Sequence, residues 1–121
     1  MDLITSSSHK ATNARVFEIV TAENLASKRV LDVGAGRGYL AALLSDHVRS
    51  LGGDPAEVLR ACDMYPEYFM CEGVSCDRLA FVNELPYDEG TFDVVYSVEV
   101  IEHLSNPHGL IREMYRVVRP G

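Results

Sequence analysis

Residues 30–39 read Val30-Leu31-Asp32-Val33-Gly34-Ala35-Gly36-Arg37-Gly38-Tyr39. The segment from Arg29 to Val33 has the composition of a buried strand, and it stops at three glycines in alternate positions. Tyr39, Leu40, Leu43, Leu44, His47 and Val48 follow at the spacing of one helix face, and Gly52-Gly53 closes that helix. A strand that turns through glycines into a helix opens a nucleotide-binding α/β unit, because glycine has no Cβ to hold a ligand away from the backbone. The dinucleotide version, G-x-G-x-x-G, needs a small residue at position 39, where this chain has Tyr39. The pattern here is G-x-G-x-G, with Asp32 two residues ahead of the first glycine.

Asp32 would repel a pyrophosphate and attract an ammonium group. A second strand, Glu57 to Cys62, ends at Asp63, where a carboxylate can accept both hydroxyl hydrogens of a ribose. Acids at two successive strand ends point to a nucleoside with a cationic, amino-acid-like tail and no phosphate. S-adenosylmethionine fits that description.

The rest of the chain supplies the frame. Val16, Phe17 and Val20 have helical spacing in a segment that begins near Thr12, with Ser8 or Thr12 as its cap, after a loose lead-in of ten residues. Arg78 to Val82 predicts a weaker third strand, and Phe92 to Tyr96 a fourth with β-branched and aromatic content. Pro107 opens a helix that carries Leu110, Ile111, Met114, Val117 and Val118 on one stripe. The expected fold class is α/β: a Rossmann-like doubly wound sheet, mostly parallel, of about four strands with flanking helices.

The 121 residues allow a single domain, 1–121. Eleven basic against 18 acidic side chains give a net charge of −7, and the basic ones are scattered. That excludes the clustered cationic footprint of a nucleic-acid or anionic-membrane binder. No run of eighteen apolar residues and no secretory-signal pattern occurs. Cys62, Cys71 and Cys76 are odd in number and suit neither a disulfide framework nor a zinc site, so the expected setting is cytoplasmic with reduced thiols.

Four ordered segments resemble the class I S-adenosylmethionine-dependent methyltransferases of the small-molecule type. They are Val30 to Leu44, Ala61-Cys62-Asp63, Leu85 to Val95, and Tyr96 to Gly121 with Glu99-Val100-Ile101-Glu102-His103-Leu104 and the closing Arg119-Pro120-Gly121. The resemblance implies methyl transfer from S-adenosylmethionine to a small-molecule acceptor. It places Asp32, Gly34 and Gly36 along the methionine portion, Asp63 on the ribose hydroxyls and Met64 against the adenine. Asn83 lies near where the family often has an acidic residue for the adenine amino group, and Val98 matches a position close to the sulfonium. An alternative is a non-catalytic cofactor-binding module.

His103 is the candidate general base, because an imidazole titrates near neutrality. Glu99, Glu102 and His103 stand at i, i+3 and i+4, and resemble the E-x-x-E-H metal segment of small-RNA 2′-O-methyltransferases and ubiquinone-pathway O-methyltransferases. The expected assignment is nevertheless no metal, with metal-assisted O-methyl transfer as the alternative. Family members usually continue past Arg-Pro-Gly into a fifth strand and a hairpin. The fourth strand is therefore expected to present an open edge with Val94 and Val95 beside it. A truncated chain is the favoured explanation, ahead of a homo-oligomer or a partner chain that covers the edge.

Overall fold

The computed structural model describes residues 3–98, 100 and 103–120, and side chains among them from residue 11 onward. Four parallel strands, β1 (Val30–Val33), β2 (Leu59–Asp63), β3 (Ser75–Arg78) and β4 (Val94–Ser97), lie in the order β3-β2-β1-β4. The chain moves outward from β1 to β2 and β3, then returns to the other side of β1 to lay down β4. This reversal makes the carboxyl ends of β1 and β4 the place where a doubly wound sheet opens a crevice. The expected α/β architecture is present, and the strand pairings are parallel throughout.

Both faces of the sheet are covered, as parallel sheets require. All four residues of β1 are buried. Val30 packs with Leu40, Leu44 and Val48 of α2 (Tyr39–Ser50) and with Val20 of α1 (Leu3–Thr21). Leu31 and Val33 point the other way, toward Phe92 and toward Leu110 and Val117 of α4 (Pro107–Val117). Each fully buried aliphatic side chain contributes about 1.5–3 kcal/mol. Strand alternation thus puts Asp32 on the α2 side, in the same layer as Val30. Two glycines end α2 as expected: Gly52 is left-handed at φ 81°, and Gly53 donates its N–H to Val48 O.

Several sequence expectations are corrected. The first helix begins at Leu3, not near Thr12, so Ser8 and Thr12 are interior to it and the lead-in is helical from residue 3. Farther along the helix, Val16 and Phe17 pack on the α2 layer, and the Phe17 ring meets His47 edge-on. Residues Pro55–Val58 form a single helical turn, α3, because the Asp54 side chain accepts from Ala56 N–H and Pro55 takes the first position. The second strand therefore starts at Leu59. The third strand is Ser75–Arg78, three residues before the predicted Arg78–Val82. Pairing with β2 selects it, reinforced by two hydrogen bonds from Arg60 to Asp77 at 2.8 and 3.0 Å.

The connection from β3 to β4 carries no helix. Arg116 of α4 fastens that loop by donating to Leu85 O and Tyr87 O, while Glu113 accepts from Leu85 N–H. Among the described residues, β4 is the outermost strand on its side of the sheet. Its approach is partly covered, since Phe92 and Val118 form a parallel bridge.

Candidate functional site

Gly34, Gly36 and Gly38 all have left-handed backbones, at φ 72°, 58° and 88°. Two of them are also needed for clearance. A Cβ on Gly34 would lie 2.3 Å from Val100 Cγ2, and one on Gly38 would lie 2.8 Å from the Phe69 ring. The loop's donors are largely consumed inside the protein. Gly34 N–H and Ala35 N–H both donate to Cys62 O, at 2.9 and 3.2 Å, and Gly36 N–H donates to Asp63 Oδ2 at 2.9 Å. A loop stitched in this way to the end of β2 gives a ligand room, and few of the N–H groups that a phosphate cradle offers.

A cavity of about 640 Å³ opens above this loop, at the point where the strand order reverses. Asp32, Gly34, Gly36, Val98 and His103, all expected from the sequence, line it together. Asp32 is 6% exposed and receives a 2.9 Å hydrogen bond from the Tyr96 hydroxyl at Oδ2. Burial pushes its carboxyl up to about 7; the Tyr96 hydrogen bond opposes that, and the nearby Asp63 charge adds to it. Such a carboxylate ionises most readily once a cation reaches it.

Met64 and Asn83 are not in this cavity. They line a smaller one of about 200 Å³, with Phe81, Leu104 and Asn106. Asp63 links the two regions. Its Oδ2 is bound to Gly36 of the first, its Oδ1 accepts from Tyr65 N–H at 2.8 Å, and Met64 of the second follows it in sequence. Both carboxylate oxygens keep lone pairs for further donors. Glu99 and Glu102 lie outside the described residues, and no group of three acidic, His or Cys side chains suited to a metal occurs among the described ones.

Sequence reasoning missed Tyr96, Arg37, Val100 and Asn13. Arg37 and Val100 belong to quoted motifs, so only a role was lacking. Asn13 reaches the cavity because α1 folds over it. Tyr96 could have been found only from strand register, which pairs it with Asp32. Two thiols are poor nucleophiles: burial pushes Cys62 and Cys76 up to about 12. No helix among the described residues is long and apolar enough to cross a membrane.

Residues 31–121 match a family model described as a methyltransferase domain. Among curated proteins, the chain is similar to a "Probable S-adenosylmethionine-dependent methyltransferase" of Mycolicibacterium smegmatis, 37% identical over 103 residues, covering 83% of this chain and 37% of the relative. It is also 34% identical over 116 residues to ubiquinone biosynthesis O-methyltransferase of Pseudomonas aeruginosa, covering 93% and 49%. A solved SAM-dependent methyltransferase of Aquifex aeolicus superposes with a TM-score of 0.62 at 25% identity, covering 86% and 58%. The chain spans between about a third and a half of the length of the curated relatives it matches.

Proposed function

Because the chain belongs to the class I S-adenosylmethionine-dependent methyltransferases, we propose that it binds S-adenosylmethionine in the larger cavity and directs its methyl group to a small-molecule acceptor. The observation that carries this reading is the buried carboxylate of Asp32 facing a glycine loop whose N–H donors are already spent. An anionic ligand would meet a negative charge and few donors there, whereas an ammonium group meets its counterion.

When bound, the cofactor supplies an electrophilic methyl carbon on a sulfonium leaving group. The protein's contribution is then mainly orientation. Asp32 anchors the ammonium end, and Gly34 and Gly36 give clearance along the methionine chain. Asp63 accepts the ribose hydroxyls with its remaining lone pairs, and Met64 and Asn83 flank the adenine from the smaller cavity. Val98 lies near the sulfonium, with Val100 beside it on the wall.

His103 occupies the wall formed by the segment after β4 and takes a proton from a hydroxyl acceptor as the bond to carbon forms. Curated relatives of similar identity include a norajmaline N-methyltransferase and a ubiquinone O-methyltransferase, so both nitrogen and oxygen acceptors belong in a test. Transfer of a labelled methyl group to a panel of small alcohols, phenols and amines tests the proposal. Binding without transfer to any acceptor would instead mark a cofactor-binding module. With a hydroxyl acceptor, His103→Ala is expected to lower turnover by about 100-fold. Unchanged turnover removes His103 from the mechanism.

A further inference from the structure

Strand register sets Tyr96 directly opposite Asp32 across the β1–β4 pair, and the function proposed above gives it no role. Its ring is 8% exposed, packed in the α2-side layer, and its hydroxyl donates to Asp32 Oδ2. No described residue donates a hydrogen bond to Asp32 Oδ1, and Asp32 lines the larger cavity. A carboxylate gripped at one oxygen has its other oxygen's direction set by the grip. We infer that Tyr96 is a positioning residue, whose hydroxyl holds the Asp32 carboxylate by Oδ2 so that Oδ1 meets the ammonium group of the cofactor. The inference rests on the cofactor reading above.

The consequence is a pH window for binding. Ionised Asp32 and a protonated α-amine coexist only over a bounded range of pH. The lower boundary belongs to Asp32 and the upper one to the ligand. Tyr96 favours the ionised carboxylate by hydrogen bonding to it, so loss of the hydroxyl raises the lower boundary and leaves the upper one in place. The other groups around Asp32 come from several elements. Asp63, Cys62 and Cys76 approach from β2 and β3, Arg37 and His103 share the cavity wall, and α1 and α2 contribute Asn13 and Tyr39.

The experiment is calorimetric titration of S-adenosylhomocysteine into wild type and Tyr96→Phe between about pH 5.5 and 10, across the two boundaries. Wild type should bind most tightly above about pH 7 and below the pH at which the ligand's own amine loses its proton. Tyr96→Phe should be about tenfold weaker at about pH 6 and within about twofold of wild type at about pH 8.5, as a hydrogen bond to a charged group is worth about one pKa unit. Asp32→Asn should bind weakly and show no lower boundary. If Tyr96→Phe does not fold, 3-fluorotyrosine at position 96, a stronger donor of nearly the same shape, should move the lower boundary down. A Tyr96→Phe profile parallel to wild type, or an unmoved boundary with fluorotyrosine, overturns the role of Tyr96 and leaves the cofactor reading standing. Wild type that binds at no pH overturns the cofactor reading itself, and this inference with it.

Discussion

Gly34→Ala is expected to destabilise the fold by about 4 kcal/mol and to weaken S-adenosylhomocysteine binding at least 100-fold, the largest effect of any single methyl added here. Two costs combine. A left-handed backbone penalises a Cβ by about 1–2 kcal/mol, and Gly34 sits at φ 72°. The added carbon would also overlap Val100 Cγ2 at 2.3 Å, which requires a shift in a packed wall and costs about 1–3 kcal/mol. The steric part can be separated. Gly34→Ala combined with Val100→Ala should recover about half of the lost stability, leaving the backbone strain. Gly36→Ala meets nothing within 4 Å and should cost only about 1 kcal/mol of stability, while its Cβ enters open space in a cavity wall and impairs binding. Denaturant unfolding of the four proteins checks this. Equal stability for Gly34→Ala and wild type would contradict the close approach of the loop to the segment after β4.

The ligand-free protein is expected to lose stability as pH rises through neutrality. Asp32 is held at about 7 in the folded state against an ordinary 3.8, chiefly by burial. Its folded pKa lies above its unfolded one, so its contribution is fully present below the unfolded value and is lost as pH rises toward 7. The total loss is about 4 kcal/mol, of which about 3 kcal/mol falls between pH 5 and 8. Asp32→Asn keeps an acceptor for Tyr96 and has no charge to bury, so its stability should be nearly flat over that window. It should exceed wild type by a few kcal/mol at about pH 8, the neutral side chain lacking the desolvation cost of the charge. Urea denaturation of both proteins at a series of pH values measures the difference. A wild-type curve as flat as that of Asp32→Asn would show that Asp32 is not buried as described. A residue that harms the empty fold at neutral pH is consistent with a site shaped for its ligand.

The parts of this molecule that could be read from sequence are those set by local chemistry. The run from Val30 through three glycines to Leu44 specifies strand, turn and helix by composition and spacing, and the Pro107 helix carries its own start and stripe. The parts that could not be read depend on what lies across space. β3 is polar, Ser75-Cys76-Asp77-Arg78, and forms because β2 and Arg60 are beside it, not because of apolar content.

The site divides in the same way. Asp32, Gly34 and Gly36 at the end of β1, and His103 in the segment after β4, belong to motifs that the pattern itself marks, and the structure brings them to one cavity. Asp63 was marked equally well, yet its bond to Gly36 N–H, 27 residues away in sequence, required the fold. Tyr96 gave no signal at all in a strand where every neighbour is apolar or small. Its role follows from register alone.

The most direct measurement is an amide NMR titration of the protein with S-adenosylhomocysteine, and in parallel with NAD. With the first ligand, the amides of Gly34, Gly36 and Tyr65 should shift saturably, since Gly36 and Tyr65 hold the Asp63 carboxylate that would receive the ribose in the proposed binding mode. NAD, whose pyrophosphate would face Asp32, should leave them in place. Unmoved glycine-loop amides with S-adenosylhomocysteine, or the same response to NAD, would contradict the account.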